Sequence, residues 1–404
     1  MNALRAAVVA VALAVAAAAP AAIAAPPKVG APQAVLIEPL SGDVLFARAA
    51  DRERPVASAT KLMTALVVLE RAELDDVYTS PGYDGAAVES TIDLKAGERL
   101  TVSDLLTALL LESANDAAVT LAEGVAGSRA EFVELMNERA DRLGLGHTHF
   151  ANSIGLDSPE NYSSAADLAT LTVRLRRDAF FRRTVDRPRA QLTSGAEPRE
   201  LENSNDLLGG QAFVNGVKTG HTNLAGYVLV GSASRGGVTV ISTVLGAPSK
   251  AARDADTLAL LRYGLRQFRR VTVVDPNRVV ARSDVKYREE DRIELVPAAR
   301  RARVLRVGER ARVTVSAPAV LEGPIPQGAR VGTVIVRVRG RVTDRVPLLT
   351  AQPVPKVSWL ERAVDFMVKP GTLAGLAGLA GLVLAGAVAG TAIRRRRRQP
   401  KAHT

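Results

Sequence analysis

Ser58 stands three residues before Lys61 in the stretch Pro55-Val56-Ala57-Ser58-Ala59-Thr60-Lys61-Leu62-Met63-Thr64. Residues three apart share a helix face, so this spacing brings a hydroxyl and an amine together as a nucleophile with its own base. A serine hydroxyl attacks poorly until a base takes its proton. Lysine can take it only when neutral, which requires burial or nearby positive charge. S-x-x-K alone is a weak signal, expected about once by chance in a chain this long, and Ser283-Asp284-Val285-Lys286 is such a match. Ser58 gains weight from two motifs downstream of it, Ser113-Ala114-Asn115 and then Lys218-Thr219-Gly220. At the junction of two helices, Ser113 could pass a proton to a leaving amine. Asn115 could hydrogen-bond a substrate and hold a lysine. Lys218 and Thr219 offer a cation and a hydroxyl to a carboxylate, and Gly220 would let a substrate backbone lie close. Taken singly, each motif also reads as a cap or a turn. Together they point to acyl transfer beside a carboxylate, with Lys218 supplying the charge that lowers the Lys61 pKa.

These residues need elements to hold them. Ala34–Ile37 and Val44–Ala47 read as strands joined by a turn at Ser41-Gly42-Asp43. A helical pattern begins at Ser58, and Ser103 is the expected N-cap of a helix ending near Ser113. Further helices are expected from Asp116, over Ala130–Leu143 and over Ala165–Leu175. Lys218-Thr219-Gly220 is expected to precede a strand at Gly226–Val230, which forms a hairpin through Arg235-Gly236-Gly237 with Val238–Leu245. A helix over Ala251–Phe268 comes next. Strands at both ends of this region and helices between them imply one α/β (α+β) unit, its sheet built from both ends of the segment and interrupted by a helical insertion. From Val271 to Leu349 the texture changes to short alternating strands separated by turns, a small all-β domain with no cluster of catalytic character.

The chain has 404 residues, no cysteine and a net charge of +11. No thiolate metal site or disulfide framework is possible, and no motif implies a metal or organic cofactor. Met1–Ala24 reads as a signal peptide, with Arg5, an apolar run over Ala6–Ala19 and Ala22-Ile23-Ala24 at the cleavage position. At the other end, Gly371–Ile393 is apolar and uncharged, with glycines at small-xxx-small spacing, and Arg394–Arg398 lies directly after it. This pattern predicts a membrane-spanning helix with a cytoplasmic tail. The expected division is 1–24 signal peptide, 25–33 linker, 34–270 catalytic domain, 271–350 β domain, 351–370 amphipathic juxtamembrane linker, 371–393 span and 394–404 basic tail. The catalytic domain would then lie outside the cytoplasm. Five of the surplus charges belong to the tail; the others suit anionic lipid or wall polymers. Aromatic residues make up only 4% of the chain, which argues against nucleic-acid binding.

S-x-x-K, S-x-N and K-T-G in this order mark penicillin-binding proteins and class A β-lactamases. From about Ala34 to Leu349 the chain closely resembles the low-molecular-mass penicillin-binding proteins, the serine-type D-alanyl-D-alanine carboxypeptidases of peptidase family S11. Beyond the three motifs, the resemblance includes Leu94-Lys95-Ala96-Gly97-Glu98, Asp116-Ala117-Ala118, Gly155-Leu156, Ser163-Ser164-Ala165-Ala166-Asp167 and Lys218-Thr219-Gly220-His221-Thr222. It implies a penicillin-binding-protein/β-lactamase-like fold. It also implies Ser58 as acyl-enzyme nucleophile, Lys61 as base and Ser113 as proton relay. Asn115, Lys218, Thr219 and Gly220 would bind substrate, and the backbone N–H groups of Ser58 and His221 would form the oxyanion hole. Arg253 is a further candidate cation for the terminal carboxylate, although no motif fixes it. The implied substrate is the peptidoglycan stem pentapeptide, and β-lactams would acylate the same serine. A serine β-lactamase would share the three motifs but needs a glutamate after the second to activate water, and the best-placed acid is Glu160. A non-catalytic wall-binding scaffold is the reading from a different class.

Overall fold

Residues 8–14, 25–368, 375, 378–380, 382–385, 387 and 388 are described by the computed structural model. The chain divides into two units, one of Ala18–Val271 with Val304–Glu309, the other of Met1–Ala17, Thr272–Arg303 and Arg310–Thr404.

In the first unit, apolar runs bounded by turns build a five-stranded antiparallel sheet. Its strands are β1 (Gln33–Glu38), β2 (Asp43–Arg48), β3 (Val214–Thr222), β4 (Gly226–Arg235) and β5 (Val238–Ala247), in the order β2-β1-β5-β4-β3. The N-terminal hairpin therefore pairs with the C-terminal strands, Val35 lying opposite Thr243, and within the latter Lys218 lies opposite Val230. Lys218-Thr219-Gly220 lies inside the edge strand β3, whereas it was expected to precede a strand. Gly216, Lys218, Thr219 and Gly220 break the apolar alternation by which a strand is recognised, and a register shift between Val214 and Val217 disturbs it further.

Between β2 and β3 lies a helical block. A short 3₁₀ turn, Ala57–Thr60, runs into α1 (Lys61–Arg71). Then come α2 (Val102–Leu111), α3 (Asn115–Ala126), α4 (Arg129–Leu143), α5 (Ala165–Leu175) and α6 (Ala179–Val185). Helix α1 is buried on every side from Lys61 to Val68, as expected for the centre of a helical layer, with its two polar side chains, Lys61 and Thr64, hydrogen-bonded inside. Its Leu62 and Met63 join Leu105, Leu109, Ala118, Leu121, Phe132 and Leu168 in one core. The cap of α2 is Thr101 rather than Ser103: its hydroxyl accepts from Asp104 N–H, three residues on, the spacing that satisfies an open helix end. Helix α7 (Lys250–Gln267) contributes Leu260, Leu261 and Tyr263 to a second core with Leu36, Val240 and Val244.

The second unit is a seven-stranded sheet. Its strands include β6 (Ala281–Val285), β7 (Arg288–Pro297), β8 (Ala311–Pro318), β9 (Val320–Leu321), β10 (Arg330–Val338) and β11 (Arg341–Thr350). Val8–Ala14 is the strand beside β8, followed across the sheet by β10, β11, β7, β6 and β9. Part of the expected leader is thus extended strand, and the rest lies outside the described residues. Trp359–Val368 forms helix α8, with Trp359, Leu360, Val364, Phe366 and Met367 exposed. Among the described residues no helix is long and apolar enough to cross a membrane. The span expected over 371–393 therefore finds no support there, and both it and the 394–404 tail lie largely outside the described residues.

Candidate active site

The 3₁₀ turn that carries Ser58 is held by contacts only small residues permit. Ala57 adopts φ 49°, a left-handed conformation that is uncommon for a residue with a side chain. Gly155 packs so closely that a Cβ there would sit 2.1 Å from the Ala57 carbonyl oxygen. Gly220, on β3, presses from the other side: its Cβ would lie 3.0 Å from Ser58 N and 3.1 Å from the Ala57 Cβ. Gly220 therefore keeps the edge strand against the turn that carries Ser58.

Lys61 opens α1 and is fully buried. Its Nζ donates to Ser58 Oγ at 3.0 Å, to Asn115 Oδ1 at 2.6 Å and to the Ile154 carbonyl at 2.5 Å. Burial, reinforced by the Lys218 charge, pushes the Lys61 amine well below the usual lysine range; Glu89 and Asp116 oppose that push in part. Both effects favour the neutral amine, the form whose lone pair can take a proton from Ser58 Oγ.

Asn115 begins α3 and has both amide atoms engaged. Its Nδ2 donates to Glu89 Oε2 at 2.6 Å, and that carboxylate also accepts from the Tyr83 hydroxyl and from Ala86 N–H. Desolvation pushes the Glu89 carboxyl up, but the hydrogen bonds from Tyr83, Ala86 and Asn115 outweigh it and the group sits below its ordinary value. Tyr83 moves the other way, up to about 12, through desolvation and the Glu89 bond. Motif reading missed Glu89 and Tyr83, which stand in a stretch without periodicity; the sequence signal available was a carboxylate between two turns. Ser113 is buried with φ 67°, and its hydroxyl has no hydrogen-bond partner among the described residues. A strained, unpartnered buried hydroxyl is a costly arrangement of the kind found where function demands it.

Lys218 is buried on β3, with Nζ donating to the Thr219 carbonyl at 3.2 Å. Desolvation first, and the nearby Arg253 charge second, lower its pKa to about 7. Arg253, buried on α7 and bonded to Asp254 at 2.8 Å, is thereby brought to the same cluster. The Thr219 hydroxyl lies 2.6 Å from Ser204 Oγ, and the exposed His221 ring packs on Tyr227 with centroids 4.1 Å apart. The candidates thus form two linked groups, Ser58–Lys61–Asn115 and Lys218–Arg253, coupled through the Lys218 charge felt at Lys61. Glu160 is exposed at the surface and does not join them. Among the described residues there is no cluster of metal-ligating side chains.

A serine hydroxyl bonded to a buried lysine, with a second buried cationic centre nearby, is the arrangement of a serine enzyme of acyl transfer. A family model described as D-alanyl-D-alanine carboxypeptidase (Peptidase_S11) matches residues 20–249. The chain is 31% identical over 360 residues to D-alanyl-D-alanine carboxypeptidase DacA of Escherichia coli K12, spanning 84% of this chain and 87% of that protein. It is 30% identical over 339 residues to DacF of Bacillus subtilis, spanning 82% and 87%. Among solved structures, the Streptomyces K15 DD-transpeptidase superposes with a TM-score of 0.56 at 33% identity, covering 60% of this chain and 99% of that one. Penicillin binding protein 5 of Haemophilus influenzae gives 0.59 at 27% identity, covering 82% and 100%. The chain belongs to the S11 family of serine D-alanyl-D-alanine carboxypeptidases.

Proposed function

We propose that the protein removes the terminal D-alanine of peptidoglycan stem pentapeptides through an acyl-serine intermediate. Neutral Lys61 takes the Ser58 proton as Oγ attacks the carbonyl of the penultimate residue. The developing oxyanion is met by the backbone N–H groups of Ser58 and His221. Ser113 relays a proton to the leaving D-alanine amine, and water then releases the acyl group. Lys218, Thr219 and Arg253 bind the terminal carboxylate, while Asn115 holds Lys61 and faces the substrate amide. The observation that carries this reading is the fully buried Lys61 amine 3.0 Å from Ser58 Oγ. Two features of the sequence, the leader pattern of Met1–Ala24 and the apolar stretch Gly371–Ile393, support a site outside the cytoplasm tethered to the membrane. The same serine would be acylated by β-lactams.

The test is mass spectrometry of the protein after brief exposure to a penicillin. A persistent adduct on the Ser58 peptide, absent from Ser58→Ala, supports the reading. Rapid drug loss without an adduct would instead make the protein a β-lactamase. Neither adduct nor drug loss would remove Ser58 as nucleophile.

A further inference from the structure

The outer face of the seven-stranded sheet is electrically divided. On β6 and β7 two outward arginines each have a carboxylate across the ladder: Arg282 meets Glu294 at 2.8 Å and Arg292 meets Asp284 at 3.2 Å. On β8, β10 and β11 the pattern reverses. Val313, Val315, Val334, Val336, Val346 and Leu348 fill the inner face. Strand alternation then places Arg312, Arg337 and Arg345 on the outer one, and a bulge between Arg330 and Gly332 turns Arg330 to the same side, opposite Leu349. Arg312 and Arg337 are direct cross-strand partners, and Arg345 lies opposite Ile335, one diagonal step from Arg337. Their other outward neighbours are Thr314, Thr333, Pro347 and Leu349. None of the four arginines forms an ion pair or side-chain hydrogen bond among the described residues. Asp344, the acid of β11, points inward to Arg301 and Arg303.

Like charges directly opposite each other destabilise a sheet, so folding alone gives no reason for this half of the face to lack the acids that the other half has. We infer that the outer face of β8, β10 and β11 binds an extended polymer bearing phosphodiesters. Guanidinium forks match phosphate oxygens bidentately. Cross-strand and diagonal neighbours stand about 5 and 7–8 Å apart, and Arg330 extends the row about 23 Å from Arg337 at 3.3 Å per residue. A linear polyanion can follow such a row.

A bilayer fits less well. Helix α8, with its exposed apolar side chains, is tied through Glu361 to Arg288 at the far end of β7. Leu295 pairs with Thr350, which puts Arg345 about twelve residues, on the order of 40 Å, along the strands from Arg288.

The experiment measures binding of fluorescently end-labelled, long-chain inorganic polyphosphate to the full chain across a salt series. Binding should weaken with salt, with a log–log slope of about −3 for four neutralised phosphates. Replacing Arg312, Arg330, Arg337 and Arg345 together by Gln should weaken it at least about tenfold and flatten the slope. Arg282→Gln/Arg292→Gln should change it less than about twofold, because those charges are already neutralised in place. Penicillin acylation of Ser58 should be unchanged in both variants, showing that they fold. Three results would overturn the proposal: undiminished binding by the fourfold variant, equal loss in the paired-arginine variant, or loss confined to phosphatidylglycerol vesicles while polyphosphate binding persists.

Discussion

Lys61 donates to Asn115 Oδ1 at 2.6 Å, and the other end of the same amide donates to Glu89. A carboxylate that can only accept fixes which amide atom turns toward the lysine. Lys61 is therefore positioned through Asn115 from the loop that carries Glu89, as well as by its own helix.

Glu89 should accordingly affect both rate and pH dependence. In Glu89→Gln the negative charge that raises the Lys61 pKa is lost, so Lys61 becomes neutral at lower pH. The acidic limb of penicillin acylation should move down in pH. Glu89→Ala should show the same shift plus a rate loss of about tenfold or more, because Asn115 is then free to turn. A pH profile of the acylation rate constant for both variants decides this; identical limbs in native and Gln forms would remove Glu89 from the Lys61 environment.

Lys218 acts on Lys61 with the opposite sign. Its positive charge lowers the Lys61 pKa, so in Lys218→Met the acidic limb should move up in pH. Lys218 itself titrates at about 7 in the free protein, and a bound carboxylate favours its charged form. The same substitution should therefore raise KM for a D-alanyl-D-alanine peptide more strongly than it slows acylation by a β-lactam. Peptide kinetics and β-lactam acylation measured side by side would expose a uniform loss, which the assignment does not allow.

Much of this arrangement is legible in the residue order, and its gaps have physical causes. Ser58 and Lys61 are local, three residues apart, so helix geometry alone brings them together. Ala165–Leu175 was readable to the residue because Ser164 caps it and its apolar face is periodic. The Lys218 strand escaped because its side chains serve the site and interrupt the strand alternation. Glu89 escaped because its partner Asn115 is 26 residues away and only tertiary packing joins them. Gly220 was legible as a close-approach glycine, but what approaches it is the Ser58 turn.

Gly220→Ala tests that last point. The added Cβ would stand 3.0 Å from Ser58 N and 3.3 Å from Ala59 N, both backbone atoms that cannot swing aside. Strand β3 and the nucleophile turn must part by a few tenths of an ångström or more. Misplacement approaching 1 Å costs about 10²-fold in rate, so acylation of Ser58 should fall by roughly 10- to 100-fold while thermal unfolding shifts modestly. Native-like acylation would mean that the strand and turn tolerate separation.

Glu98 and Arg199 support the loop from outside the site. Arg199 binds Glu98 through both terminal nitrogens, at 2.7 and 2.9 Å, and reaches the Ile92 carbonyl at 2.8 Å through Nε. It thus ties together the segment just after Glu89. The Arg199 hydrogen bonds, the largest influence, bring the Glu98 carboxyl to about 2 against burial that would raise it. A carboxyl whose folded pKa is depressed adds stability above its unfolded pKa, near 4.5, and loses it as pH falls toward 2. Glu98→Gln should therefore lower the melting temperature at pH 7, and the gap to the native protein should narrow steadily as pH falls from about 5 toward 2. The loop's hold on Asn115 should loosen in parallel, slowing Ser58 acylation at neutral pH. Melting curves of both proteins across that range check the assignment. A gap that stays constant with pH would assign the effect of Glu98 to packing rather than to its charge.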